Sequence, residues 1–160
     1  SLGDTIPASV LPAAIFVLAA FTAFSTGSSW GAMGILLPLV LPLCWAVMGS
    51  QGLTSGGNYF ILYASVSGVL AGAVWGDHCS PISDTTVMSS LSAGCDHIEH
   101  VRTQLPYALL AGAAALLFGT IPASLGLPWW IGMLLAASVT ALGLRLLGQP
   151  VEDYRPADDA

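Results

Sequence analysis

The sequence predicts an all-α fold, a polytopic membrane protein with about five membrane segments that include broken or re-entrant helices. Composition is the first reason, because 55% of the residues are hydrophobic and only 8% are charged, whereas soluble domains carry about 25% charged residues. Length is the second, since 160 residues hold about five spans of roughly 20 residues each. Two polar stretches inside the apolar pattern, residues 25–31 and 76–86, predict the breaks.

The first predicted helix covers residues 7–24, which are almost entirely apolar. Residues 25–31 then bring four hydroxyls and two glycines together, and the apolar run resumes over residues 32–48. Two apolar arms around a polar, glycine-containing centre are typical of a discontinuous membrane helix. The alternative is a tight turn between two ordinary helices at the membrane surface.

The third span is predicted over residues 59–76, after an uncharged loop over residues 49–58. Gly68, Gly72 and Gly76 recur at a spacing of four residues, so they share one face of this helix. Small residues on one face let another membrane helix approach closely, and we expect this face to be a packing surface.

The stretch from Trp75 to Thr86, WGDHCSPISDTT, places ionisable groups directly after this span. Each charge at membrane depth costs about 2.5 to 3.5 kcal/mol even on lenient scales, so Asp77, His78 and Asp84 indicate a functional site. Asp84 is also predicted to N-cap a short helix over residues 85–93. That helix would be only about 13 Å long, which is too short to cross a bilayer.

The C-terminal part is predicted to form two spans, residues 107–125 and 131–147, joined by a turn at residues 126–128. The polar segment CDHIEHVRTQ, residues 95–104, is expected to be a solvated connection on the cytoplasmic side. His97 and His100 in this segment are candidates for sensing pH.

The chain is expected to divide into a transmembrane region, residues 1–147, and a polar acidic tail, residues 148–160. Arg102 and Arg145 would lie on one side of the last hairpin, and the excess of cations in cytoplasmic loops weakly places that side in the cytoplasm. The chain begins at Ser1 without a cationic leader, so we expect a fragment or a processed piece.

Several classes of function are disfavoured by the composition. The net charge of -6 and the lack of a basic patch argue against a nucleic-acid partner. The three cysteines form no disulfide framework, and the His and Cys spacing fits no common zinc site. Ser80 near His78 is the one local nucleophile and base pair, without an elbow motif or a third orienting group, so an enzyme is not expected.

The two interruptions predict a site for a small cation, because broken membrane helices expose backbone carbonyls next to the hydroxyls and carboxylates. Such oxygens are hard ligands and favour sodium. Asp84, Ser83 and Thr85 are the predicted core of the sodium site, and the full set of candidate ligands is Asp77, Asp84, Ser80, Ser83, Thr85, Thr86, Thr26, Ser28 and Ser29.

Asp77 and His78 are the predicted proton relay, because His78 stands beside Asp77. Burial favours a protonated carboxyl and a bound cation favours an ionised one, so a proton and sodium would compete for the same group. The alternatives are that both aspartates only cap helices, that His78 only forms structural hydrogen bonds, and that the hydroxyls only satisfy backbone groups. No cofactor is expected beyond sodium ions and protons as transported ions.

Two blocks of this sequence, GDHCSPISDTTVMSSLSAGCDHIEHVRTQLPYAL at Gly76 to Leu109 and FSTGSSWGAMGILLPL at Phe24 to Leu39, resemble the corresponding blocks of the NhaC-type sodium/proton antiporter family. The resemblance implies a multi-pass carrier of the bacterial inner membrane that exchanges sodium for protons, with inverted repeats and broken helices. The chain corresponds to the C-terminal part of such a carrier.

Three further expectations follow from this resemblance and from the length. The chain would need the missing N-terminal half or a second copy to complete a transport path. Related carriers exchange a small organic acid or amino acid together with these ions, which is one alternative function. A membrane assembly subunit that transports nothing is the other.

Overall fold

The computed structural model describes residues 7–147, which are helical throughout apart from short turns. The predicted all-α membrane fold is confirmed. The helices are α1 Leu11–Thr26, α2 Ser29–Ser50, α3 Tyr59–Cys79, α4 Asp84–Ala93, α5 His97–Ala114, α6 Ile121–Ser124 and α7 Trp129–Leu147. Short 3-10 turns, Ala8–Val10 and Gly56–Asn58, precede α1 and α3, and a π-helical segment, Ala115–Thr120, joins α5 to α6.

Five of these stretches are long and apolar enough to cross a membrane, namely Ala8–Thr26, Ser29–Ser50, Gly56–Cys79, His97–Ser124 and Trp129–Leu146. The ten-residue α4 is the short helix between the third and fourth spans. The predicted count of five spans and the half-length helix after the second interruption therefore agree with the structure.

Among the described helices, the backbones of α1 and α3 approach each other closely through the predicted glycine face. A Cβ atom on Gly68 would lie 2.8 Å from the Pro12 carbonyl oxygen, and Cβ atoms on Gly72 and Gly76 would overlap the carbonyls of Phe16 and Ala20. The contacts advance in the same direction along both helices, so α1 and α3 run parallel. Both helices consequently end at the same level of the bundle.

The helix α2 returns alongside this pair in the opposite direction. Its Cys44 Sγ lies 3.4 Å from Ser65 Oγ of α3, and the 3-10 turn before α1 is tied to the far end of α2, where the Ala8 N–H donates to Gln51 Oε1 at 3.1 Å. The first interruption is a two-residue turn, Gly27–Ser28, between two helices of span length. This geometry matches the tight turn that the sequence left open as the alternative.

The helices α5 and α7 form a second hairpin at the edge of the bundle. They are antiparallel, because a Cβ atom on Gly143 would meet Leu110 while one on Gly132 would meet the carbonyl of Phe118. In an apolar stretch of 18 residues taken from each span, only 11% of His97–Ser124 and 6% of Trp129–Leu146 is buried, against 44% of Ala8–Thr26. This hairpin therefore presents most of its apolar surface outward. The predicted turn between the two spans is present, with Gly126 at φ +89°.

Two expectations about helix ends are wrong. The N-cap of α4 is Ser83, whose hydroxyl accepts from the Thr85 N–H, and Asp84 is the first helical residue. Most of the polar segment over residues 95–104 is helical rather than a loop, because α5 begins at His97 with the Asp96 carboxylate as its cap. The predicted acidic tail, residues 148–160, lies outside the described residues.

Within residues 7–147 the charged side chains gather toward one end of the bundle. Asp77 and Asp84 lie where α3 ends and α4 begins, Asp96 and Glu99 follow at the start of α5, and Arg102 stands one turn further along that helix. The loop over residues 51–58 and the turn over residues 125–128, at the opposite end, carry no charge. The two ends of the bundle are thus chemically distinct.

The glycine face gives a test of the packing. Replacing Gly72 with alanine should lower the free energy of unfolding by about 1 to 3 kcal/mol, because the added methyl group meets the Phe16 backbone. The control is Gly34→Ala in α2, where an added Cβ has nothing within 4 Å and alanine favours the helix by roughly 0.5 to 1 kcal/mol. Heating the two purified variants in detergent and following the loss of monodisperse protein measures both. Equal stability of the two would contradict the close α1–α3 contact.

Candidate functional site

The candidate site lies where α3 ends and α4 begins. Asp77 occupies the last turn of α3 and is only 3% exposed. The chain then turns through Ser80 to Ser83, and both of these serines are fully buried. The N-terminus of α4 carries partial positive charge that favours an anion. The end of α3 and the start of α4 therefore place the Asp77 carboxylate next to the first turn of a helix.

Two hydroxyls hold the Asp77 carboxylate. Ser83 Oγ lies 2.8 Å from Oδ1, and Thr85 Oγ1 lies 2.9 Å from Oδ2. The two hydroxyl oxygens are themselves 2.8 Å apart. The result is a closed ring of three oxygen-to-oxygen contacts at hydrogen-bond distance, which we call the Asp77 ring.

The Asp77 ring needs three hydrogens, one for each contact, and its two hydroxyls supply only two. With an ionised carboxylate, both hydroxyls donate to it and the contact between Ser83 and Thr85 has no hydrogen. With one proton on the carboxyl group, the carboxyl donates to one hydroxyl. That hydroxyl donates to the other one, which donates back to the second carboxyl oxygen, so all three contacts are hydrogen bonds. With an ionised carboxylate, the ring therefore lacks one hydrogen.

No basic side chain among the described residues neutralises this carboxylate. Residues 7–147 contain two cations, Arg102 and Arg145, both of them exposed. The one ion pair between described residues joins Arg102 to Glu99 at 3.5 Å on the surface. A group of three or more His, Cys, Asp or Glu side chains close enough to hold a metal ion does not occur in the described part of the chain.

The first interruption lies against this site. Ser80 Oγ donates to the Phe24 carbonyl oxygen at 2.8 Å, and Gly27, at φ +67°, faces the Ile82 carbonyl so closely that a Cβ atom would lie 2.7 Å from its oxygen. The two breaks predicted from the sequence therefore meet. They meet at the common end of α1 and α3, through the Ser80 hydroxyl and through backbone groups.

The hydroxyls of the first interruption are used locally. Thr26 Oγ1 donates to the Thr22 carbonyl oxygen at 2.9 Å, and Ser28 Oγ accepts from the Gly31 N–H at 3.2 Å as the cap of α2. Ser29, the first residue of α2, is half-buried. The structure does not bring these three side chains into the Asp77 ring, and their role as ligands stays a prediction.

Asp84 and His78 lie outside the Asp77 ring as well. Asp84 is exposed at the first position of α4. His78 is exposed, and its Nδ1 lies 2.9 Å from the Val74 carbonyl oxygen of its own helix, so it is not hydrogen-bonded to Asp77. Of the two aspartates, Asp77 is the one among hydroxyls, whereas the sequence favoured Asp84 for that position.

Thr86 is the remaining candidate ligand. Its side chain is 3% exposed, and its Oγ1 is a buried polar atom without a hydrogen-bond partner in the described part of the molecule. Such an atom carries a desolvation cost of about 1 to 3 kcal/mol. It stands next to Thr85 in the first turn of α4, where an ion or a group from another segment would satisfy it.

The two histidines predicted to sense pH differ in their contacts. His97 is half-buried, with Nε2 2.6 Å from the Pro81 carbonyl oxygen and Nδ1 3.1 Å from Ser90 Oγ. His100 is half-buried one turn further along α5. The sequence placed His97 in a solvated connection, and no local signal showed that it returns to the turn after α3.

Comparison with known proteins adds three relatives. The chain is 50% identical over 113 residues to a Haemophilus influenzae protein described as uncharacterized, which covers 71% of the chain and 20% of the relative. It is 36% identical over 107 residues to an uncharacterized Na(+)/H(+) antiporter of the same organism, covering 64% of the chain and 20% of the relative. It is 31% identical over 98 residues to the malate-2H(+)/Na(+)-lactate antiporter of Bacillus subtilis, covering 61% of the chain and 18% of the relative.

The chain spans about a fifth of the length of these relatives. No solved structure matches it. The sequence profile of the Na+/H+ antiporter family matches residues 2–121, which include the Asp77 ring and both interruptions. This match confirms the family that the two sequence blocks predicted. The chain therefore belongs to the Na+/H+ antiporter family.

Proposed function

We propose that these residues form part of a carrier that exchanges sodium for protons across a bacterial inner membrane, and that Asp77 is the group for which the two ions compete. Membership of an antiporter family and five helices of membrane length support a multi-pass membrane transporter. The observation that carries the proposal is the Asp77 ring, a buried carboxylate whose contacts are two hydroxyls and no basic side chain of the described residues.

The ring accounts for exclusive binding of one ion. A proton on Asp77 completes the three hydrogen bonds. A sodium ion would instead be bound by the ionised carboxylate and by the lone pairs of Ser83 and Thr85, with both hydroxyl hydrogens turned away. Both ions would occupy the same carboxylate oxygens, so the binding of one would exclude the other.

Exclusive binding leads to exchange if the site can switch its access from one side of the membrane to the other only while it holds an ion. Both loaded forms of Asp77 are neutral, whereas the empty form leaves a buried charge without a counter-ion, which costs several kcal/mol. The empty site is therefore the form least suited to crossing the apolar region. That penalty couples outward movement of one ion to inward movement of the other.

Further oxygens would complete the sodium shell. Thr86 supplies a buried hydroxyl without a described partner, and Ser80 lies at the turn between the helices. Asp84, Thr26, Ser28 and Ser29 stay proposals from the sequence. Because binding sites in such carriers form between repeats, and the chain spans about a fifth of its relatives, we propose that the rest of the carrier adds ligands.

A second candidate function is exchange of a small organic acid coupled to sodium and protons. It is supported by the 31% identity to the Bacillus subtilis antiporter whose name includes malate and lactate. An organic anion needs a cationic partner, and the two arginines of the described residues are exposed. An anion site would therefore lie in another part of the carrier, and a stimulation of sodium efflux by malate or lactate would reveal it.

Neutralising Asp77 tests the proposal. In the carrier that contains this chain, Asp77→Asn should abolish sodium/proton exchange, because the amide cannot ionise to hold sodium. The amide has a donor and an acceptor, so it should reproduce the protonated ring and leave insertion and thermal stability near the parental values. Sodium-driven pH changes in everted vesicles measure exchange.

Two other carboxylates serve for comparison in the same assay. Glu99→Gln removes an exposed charge paired with Arg102 and should leave exchange near the parental rate. Asp84→Asn should retain measurable exchange, because Asp84 is exposed and outside the ring. Parental exchange in Asp77→Asn would show that the ring is structural, and a complete loss in Asp84→Asn alone would return the site to the aspartate that the sequence favoured.

The unpartnered hydroxyl of Thr86 gives an independent test. Thr86→Val keeps the shape and removes the oxygen, so without sodium it should stabilise the protein by about 1 kcal/mol. The same change should weaken the apparent sodium affinity about threefold or more, if the hydroxyl is a ligand. A variant that is more stable and binds sodium as tightly as the parent would exclude Thr86 from the shell.

The isolated chain should not transport. A site formed between two repeats is incomplete in one of them, so 160-residue monomers reconstituted into liposomes should show no sodium/proton exchange, while the longer carrier does. Exchange by the monomers would contradict the need for a partner, and exchange only at protein densities that favour dimers would identify a second copy as that partner.

A further inference from the structure

His97 connects the start of α5 to the turn that carries the site. Its Nε2 atom lies 2.6 Å from the carbonyl oxygen of Pro81, and its Nδ1 atom lies 3.1 Å from the hydroxyl of Ser90 in α4. Pro81 stands between Ser80 and Ser83 in that turn. One half-buried imidazole therefore joins α4, α5 and the turn after α3.

The hydrogen bond to Pro81 does not depend on the charge of the His97 imidazole. A carbonyl oxygen only accepts, so Nε2 carries a hydrogen and donates it. The neutral tautomer with its hydrogen on Nε2 and the doubly protonated imidazolium both provide this donor. The contact with Ser90 does depend on the charge of the imidazole. The single hydroxyl hydrogen of Ser90 is donated to the Val87 carbonyl oxygen at 2.8 Å, so Nδ1 forms a hydrogen bond with Ser90 only when Nδ1 carries a hydrogen itself. The geometry therefore indicates a constant anchor at Pro81 rather than a switch.

The same face of α5 makes two further contacts with the end of α3. Gln104 Nε2 donates to the His78 carbonyl oxygen at 3.1 Å, and the Ala108 carbonyl oxygen accepts from Trp75 Nε1 at 2.6 Å. Residues 97, 104 and 108 are spaced so that they share a helix face. The helix α5 is thus fixed along the last turns of α3, and His97 is the contact of this face that reaches the turn itself.

We propose that His97 is a positioning residue: by donating to the Pro81 carbonyl it holds the turn so that Ser83 stays against Asp77. This role rests on the proposed function of the Asp77 ring. Ser83 follows Pro81 by two residues and makes the 2.8 Å contact with the carboxylate. Freeing the Pro81 carbonyl would let the turn move and would weaken the hydroxyl contact, while the carboxylate itself would remain.

Two substitutions of similar polarity separate the two ring nitrogens. Glutamine places an amide donor near the position of Nε2 and preserves the bond to Pro81, whereas asparagine reaches only the position of Nδ1. In the longer carrier, His97→Ala and His97→Asn should raise the apparent KM for sodium about three- to tenfold, as expected for one lost hydrogen bond. Their kcat should change less than about twofold, and His97→Gln should keep the parental KM.

The control is Thr103→Ala in the same helix, which removes an exposed hydroxyl bonded to the Glu99 carbonyl of α5 itself. It should leave KM and kcat unchanged. A parental sodium KM in both His97→Ala and His97→Asn would overturn the proposal. So would equal behaviour of the asparagine and glutamine variants, because the bond to Pro81 would then not be the one that matters.

Amide hydrogen exchange separates this proposal from the proposed function. The amides of Ile82 and Ser83 should exchange faster in His97→Asn than in His97→Gln, with or without sodium, because their turn has lost its anchor. If the parent carrier shows no sodium dependence but this difference remains, the proposed function fails and the positioning role stands. Equal exchange in the two variants would overturn the positioning role even when sodium transport is intact.

Discussion

The buried carboxylate of Asp77 is the constraint on which the rest of this structure depends. Taking a charge out of water costs several kcal/mol, and hydrogen bonds to charged groups return about 1.5 to 3 kcal/mol each. The two hydroxyls of Ser83 and Thr85 therefore offset the cost of burial. They reach the carboxylate only because α3 stops at Cys79 and the chain turns over the four residues before α4 begins at Asp84. A continuous helix would carry both hydroxyls past Asp77.

The glycine face of α3 determines where the other interruption lies. Because α1 and α3 run parallel with backbone groups in contact at Gly68, Gly72 and Gly76, both helices end together. That shared level places the Phe24 carbonyl within reach of Ser80 and Gly27 against the turn after α3. Larger residues would separate the helices and with them the two breaks. The glycine face of α3 thus aligns the backbone around the candidate site.

Signals that lie in the local sequence predicted the spans, the glycine face and the short helix after Pro81. The choice between Ser83 and Asp84 as the cap of α4 was wrong because both residue types cap helices well, and the path of the turn decided between them. The same path brings the hydroxyls of Ser83 and Thr85 to Asp77. His97 could not be recognised, since its contact with Pro81 spans sixteen residues and depends on how α5 packs. Apolar patterning carries no such information.

The chemistry of the Asp77 ring explains why hydroxyls, and not a basic side chain, surround this carboxylate. A lysine or arginine within hydrogen-bond distance would neutralise the charge permanently, and neither a proton nor sodium would then be required. Hydroxyls rotate, so the same two oxygens donate to an ionised carboxylate, take part in a ring closed by a proton, and face a cation with their lone pairs. The two arginines of the described residues are both exposed, which leaves the carboxylate open to exchange. Under the proposed function the site must release each ion to bind the other, and it then needs partners that satisfy the carboxylate without replacing either ion.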